Sequence, residues 1–167
     1  MMTIKLRTFC VFAAVFAALA LFAGACSAAE DGEEIWLDIS KSEHLMRVMS
    51  GGEVVETFGV AVGKNAGDKQ RAGDMRTPEG SFTVEQVQDA SWWSHDFGDG
   101  KGEIKGAYGP WFIRLKTGWR GIGIHGTHDP ASIGTDATEG CIRLRNEDVA
   151  KLKEKYIKIG MRVVIRP

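Results

Sequence analysis

The chain has 167 residues, with 21 Lys plus Arg set against 22 Asp plus Glu, for a formal net charge of −1. That length is room for one domain, and a hydrophobic content of 44% is ordinary for a folded one. The near-neutral balance argues against nucleic acid as a partner, because such binding needs a basic field to displace counterions.

Residues 1–29 carry no acid, and their only charges are Lys5 and Arg7. An apolar run from Phe9 to Ala25 ends in Cys26-Ser27-Ala28-Ala29. A basic start, an apolar middle and a small-residue end read as a secretory signal peptide over residues 1–28. Ala23-Gly24-Ala25-Cys26 offers an alternative, a lipoprotein signal ending before Cys26, with a lipid anchor on that cysteine. A retained membrane helix is the third reading. Loss of Lys5 and Arg7 with the signal takes the net charge to −3. Cys10 leaves too, and Cys26 leaves or is lipidated, so Cys141 becomes the sole free thiol. A lone exported cysteine cannot close an internal disulfide and points to a reactive group.

Downstream, Ile35, Leu37 and Ile39 alternate with polar neighbours and predict a strand. A second strand is predicted near His44–Met49 and a third over Val54–Val62. The turn at Ser50-Gly51-Gly52-Glu53 makes the three a meander. Residues 63–79 read as a loop, Gly80–Gln88 as a strand, and 89–109 as irregular chain. Pro110–Lys116 and Gly121–His125 read as further strands, and a loop then leads to Cys141-Ile142-Arg143-Leu144. Asn146 is a candidate N-cap for a helix carrying Val149, Leu152 and Tyr156 on one face. Gly160 stops it, and Met161–Ile165 closes the chain as a strand. The pattern predicts a mainly-β domain, sandwich-like, with one short helix near the C-terminus.

Cys141 is the candidate nucleophile. A thiol attacks as its thiolate, so it needs a cation or a base nearby. Arg143, two residues on, shares its face if the segment is a strand, and Gly140 frees the backbone for amides aimed at an oxyanion. His125, at a strand end, is the candidate base. For both residues the competing reading is a buried structural role. His128 reads as a solvated loop residue, and His44 and His95 have no informative sequence neighbours. His125, His128, Asp129 and Cys141 make a weak zinc pattern. Asp96-Phe97-Gly98-Asp99-Gly100 lacks the closing Glu of a calcium loop, so no metal or other cofactor is expected. Trp92 and Trp93 are candidate walls of a peptide groove, or loop packing.

Gly123-Ile124-His125-Gly126-Thr127, Ser132-Ile133-Gly134 and Gly140-Cys141-Ile142-Arg143-Leu144 together resemble the active-site signature of L,D-transpeptidase catalytic domains (the YkuD, or ErfK/YbiS/YcfS/YnhG, family). Arg76-Thr77-Pro78-Glu79-Gly80-Ser81-Phe82, Gly109-Pro110-Trp111-Phe112 and the closing helix and strand extend the resemblance over residues 34–166. It implies an L,D-transpeptidase-like β-sandwich that acts on peptidoglycan stem peptides. Cys141 is then the nucleophile and His125 the general base and acid. Main-chain amides of Glu139 and Gly140 form the oxyanion hole, and Arg143, Gly126 and Thr127 contact substrate. The resemblance implies loss of the terminal D-amino acid, a thioester, and transfer to an amine on another stem peptide or on a wall-attached protein. Water as acceptor would make a carboxypeptidase instead. It also implies the periplasm or cell envelope of a bacterium. One position departs: the family's Ser/Thr-His-Gly-Cys is here Thr138-Glu139-Gly140-Cys141. Glu139 could be tolerated, could raise the thiol pKa by like charge, or could mark hydrolysis. A degenerate wall-binding module is the reading furthest from an enzyme.

Overall fold

Alternating apolar positions drive the chain into strands whose inner faces share one core. The computed structural model describes residues 33–167. The predicted signal over residues 1–28, and Cys26 within it, lie outside the described residues. The elements are β1 (Ile35–Ser40), β2 (Leu45–Ser50), β3 (Glu53–Gly59), β4 (Val62–Gly63), β5 (Gly80–Asp89), β6 (Ser94–Asp96), β7 (Glu103–Lys105), β8 (Trp111–Leu115), β9 (Gly123–His125), β10 (Asp136–Thr138), β11 (Ile142–Arg143), α1 (Asn146–Lys155) and β12 (Arg162–Arg166).

Eight strands form one curled sheet in the order β11-β9-β8-β5-β12-β1-β2-β3, with β10-β4 and β6-β7 as two-stranded sheets beside it. The mainly-β reading with one helix near the C-terminus therefore holds. The meander β1-β2-β3 is antiparallel as predicted. The pairing that joins the two halves of the sheet is parallel, with Leu37 opposite Val163 and Ile39 opposite Ile165. Strand β12 continues on its other side into antiparallel pairing with β5.

Three segments depart from the sequence expectation. The predicted third strand breaks after Gly59, because Val60 donates to the His44 carbonyl and Ala61 bridges to Arg143. That crossing carries Val62–Gly63 into parallel pairing with β10, which read as loop. Residues 89–109 contain the β6–β7 hairpin, with His95 opposite Ile104. Its strands are too short and polar to show a period of two. At the helix start Arg145, not Asn146, is the N-cap residue, and no side chain caps it. The Asn146 carboxamide is committed elsewhere, as described below.

Leu37, Ile39, Met46, Val48, Ile113, Ile124, Ile142 and Leu144 are fully buried, and the helix adds Val149 and Leu152. Glu147 and Asp148 in the first turn and Lys153 and Lys155 in the last complement the helix dipole. Because the helix packs against β8 and β9, its anchoring also holds the strands that carry the site. Leu152→Ala removes a fully buried side chain and is expected to cost about 2–5 kcal/mol, read from the midpoint of chemical denaturation. A change under about 1 kcal/mol would mean that the helix is not anchored through this residue.

Candidate active site

Two short parallel strands set the geometry. Strand β11 lies beside β9, with Ile142 opposite Ile124 and Arg143 opposite His125. Cys141 sits just ahead of β11, so it is presented at the strand end near Gly123. Thr138 closes the preceding loop: its hydroxyl donates to the Cys141 carbonyl at 2.7 Å and accepts from the Gly140 amide at 3.1 Å. Gly140 has φ +128°, and a Cβ there would stand 2.7 Å from the Arg76 carbonyl oxygen. A side chain is excluded on both counts. The Gly140 amide, expected in the oxyanion hole, is thus already engaged by Thr138 within the loop. A narrow reason fixes the glycine: the loop passes against the backbone of residue 76.

His125 is buried, and its Nδ1 lies 2.6 Å from the Gly126 carbonyl. A carbonyl only accepts, so Nδ1 carries the proton and the neutral ring keeps Nε2 as an acceptor. Phe112 stacks on the ring at 5.5 Å and 7°, and Tyr108 meets it edge-on at 4.9 Å. Burial pulls His125 down to about 3, with the Arg143 charge working the same way and the Gly126 bond opposing. The imidazole is therefore neutral at ordinary pH.

Cys141 is half-buried and donates to the Gly121 carbonyl at 3.1 Å. Burial pushes the thiol up to about 11. The Gly123 amide, Arg143 and Arg114 pull it down, and Glu139 adds to the rise. Tyr108 is likewise pushed up to about 12 by burial and by Cys141 and Glu139, and remains a phenol.

Cys141, His125, Glu139 and Arg143 line one cleft of about 520 Å³, together with Tyr108 and Trp119. Arg143 is itself buried. Its Nη1 donates to Ser132 Oγ at 2.9 Å, its guanidinium lies 5.8 Å from the Phe97 ring centre, and its Nε has no partner among the described residues. It is placed to bind an anion entering the cleft. Gly126 and Thr127, expected at the substrate, stand outside the lining. The Thr127 amide donates to Asn146 Oδ1 at 2.8 Å, and the Thr127 hydroxyl accepts from the Asp129 amide at 2.9 Å. Gly126 passes so close to Asn146 and Gly109 that a Cβ has no room. These two residues hold the turn that aims the His125 ring.

The residues that sequence reasoning missed are Asn146, which ties helix start to histidine turn, and His95. The imidazole of His95 donates from Nε2 to Glu139 Oε2 at 3.1 Å. Trp93 packs on Phe112 at 5.4 Å, while Trp92 is 76% exposed. Both border a second depression of about 550 Å³, which shares Tyr108 and Gly121 with the first. Among the described residues no three His, Cys, Asp or Glu side chains converge as a metal site. His128 faces Ala107 and Phe97.

The family model for YkuD, L,D-transpeptidase catalytic domain, matches residues 34–165. The curated YkuD protein of Bacillus licheniformis is 30% identical over 129 residues, covering 77% of this chain and 64% of that protein. YkuD of Bacillus subtilis is 32% identical over 112 residues, covering 67% of this chain and 54% of that protein. The chain thus spans between about half and two-thirds of those relatives' length. Among solved structures, an L,D-transpeptidase from Mycobacterium smegmatis superposes with a TM-score of 0.63 at 20% identity, covering 81% of this chain and 60% of that one. L,D-transpeptidase 3 from Mycobacterium tuberculosis, in complex with a faropenem-derived adduct, superposes at 0.59 and 19% identity, covering 81% and 61%. At such identities the structural likeness speaks for the fold.

Proposed function

The chain belongs to the YkuD family of L,D-transpeptidase catalytic domains, and from that premise we propose that it is a cysteine acyltransferase acting on peptidoglycan stem tetrapeptides. The observation that carries the proposal is the convergence of Cys141 and His125 in one cleft, with the histidine tautomer set by the Gly126 carbonyl. The Cys141 sulfur attacks the carbonyl between the third residue's L-centre and the terminal D-amino acid as its proton passes to His125 Nε2. Because the thiol is held high and the imidazole low, the resting pair is neutral, and the proton moves during attack. The same Nε2–H then protonates the departing amine, and a thioester remains on Cys141. An acceptor amine gives its proton to His125 as it attacks the thioester, and the cross-linked or protein-bound peptide leaves with the thiol restored.

Arg143 supplies a buried cation for a substrate carboxylate. Gly126, Thr127 and Asn146 keep the base aligned. A small export segment ahead of the domain fits a substrate outside the cytoplasm, with release after residue 28 or lipidation at Cys26 as its two routes. Product analysis by mass spectrometry, with a tetrapeptide wall fragment, tests the reading. Release of the terminal D-amino acid with an amine-linked product is the expected result. Release without an amine-linked product, even at high acceptor concentration, would identify a carboxypeptidase. Binding of the fragment with no release would identify a wall-binding module.

A further inference from the structure

One side chain of the β6–β7 hairpin bonds to the residue that breaks the signature. His95, at the centre of β6, donates to Glu139, whose carboxylate is two residues from the nucleophile. The pair is partly shielded, with side chains 29% and 40% exposed. The His95 ring is also fixed by aromatic contacts, edge-on to Phe97 at 4.5 Å and to Tyr108 at 5.7 Å. Tyr108 in turn rests on His125 at 4.9 Å. The hairpin, the nucleophile's loop and the candidate base therefore meet through one imidazole.

A carboxylate beside a thiol disfavours the thiolate, because two like charges would share one confined cleft. A proton taken up by an imidazole bonded to that carboxylate offsets part of its charge. The ionisable groups around His95 include His125, which feels a His95 charge, and Arg143, which lies against Phe97. Glu139 bonds to it from the β10–β11 loop. Glu103, on the same hairpin, is taken by Ser94. His128 lies beyond Phe97, and Tyr108 remains a phenol.

We propose that His95 is a positioning residue for Cys141: brought in by the hairpin, it answers the charge of Glu139 and ties the hairpin to the nucleophile's loop. The proposal deepens the reading above, since it concerns the same thiol, but its test requires no turnover. Iodoacetamide modification of Cys141 in the full chain, followed on the Cys141 peptide by mass spectrometry from pH 5 to 9, reports the thiol directly. His95→Gln keeps a hydrogen-bond donor and cannot take up a proton. It is expected to react about threefold more slowly than the parent at pH 6, the size appropriate to a partly exposed pair. The difference from the parent should shrink as pH rises toward 9, because only the parent carries a ring at this position that can take up a proton. Glu139→Gln is expected to react about threefold faster than the parent at pH 9. Adding His95→Gln to Glu139→Gln should change nothing further at pH 7, because the imidazole has lost the carboxylate that held it.

Equal rates for His95→Gln and parent at pH 6 would overturn the proposal. So would a slowing that is constant with pH or the same in both backgrounds, which is the mark of a packing role alone. Thermal melting of each variant separates these outcomes from unfolding. Failure here with intact D-amino acid release would leave the enzymatic reading standing. Success without release would leave the thiol tuned but the reading lost.

Discussion

Cys141→Ala is expected to lower release of the terminal D-amino acid by roughly 10⁴-fold or more, the scale on which removal of a covalent nucleophile acts. The substitution takes away a half-buried sulfur whose contact is the Gly121 carbonyl. No core residue loses a neighbour of consequence, so melting temperature should stay within a few degrees. Binding of the wall fragment should persist, because Arg143 and the aromatic walls are untouched. Time courses by mass spectrometry, with fragment affinity measured alongside, separate chemistry from recognition. Release from Cys141→Ala equal to that of the parent would remove the thiol from the reaction and overturn the proposed function.

His125→Gln carries the second large effect. Loss of a positioned base is expected to lower kcat/KM by about 10²–10⁴-fold at pH 7. The pH dependence tests the mechanism more sharply than the magnitude. In the parent, burial pulls His125 down to about 3 and pushes Cys141 up to about 11. Between those values the thiol holds its proton and the imidazole is free to take it, so the reactive form is fully populated. The parent profile should be flat from about pH 5 to 9, with an acid limb as His125 gains a proton and no inflection near the ordinary histidine value. In His125→Gln the thiol must ionise unaided, so the rate should rise about tenfold per pH unit and the gap to the parent should narrow. A parent limb near pH 6.5 would show instead a preformed thiolate–imidazolium pair.

Much of this site is written in local sequence, because its parts are local. A strand end puts His125 where it is. The spacing of Cys141 from Arg143 is set by adjacent backbone, whereas the steric demand on Gly140 comes from the distant Arg76 carbonyl. The helix was legible from Val149 and Leu152, since burial on one face leaves a period. The parts that were not legible depend on contacts between distant residues. Asn146 has the composition of an N-cap, and nothing near it reveals that its carboxamide is spent on the Thr127 amide. His95 and Glu139 meet across 44 positions, and the hairpin carrying His95 is too polar to announce its strands. Glu139 read alone is a liability beside a nucleophile, and only the fold supplies the partner that changes its meaning. The small β4–β10 pairing escaped for the same reason: Val62–Gly63 looks like the tail of β3 until the chain crosses at Val60.

The parallel seam between β1 and β12 also governs how the molecule is assembled. It is the sheet contact that joins the meander to the strands bearing the cleft. Its partners, such as Leu37 and Val163, stand at opposite ends of the domain sequence. Closing so long a loop is entropically costly and makes for slow folding. The edges of β1 and β5 stay open until β12 inserts between them. An unfinished chain thus offers two unpaired edges to a neighbour. Protection of both edges then waits on one event, the docking of the last strand.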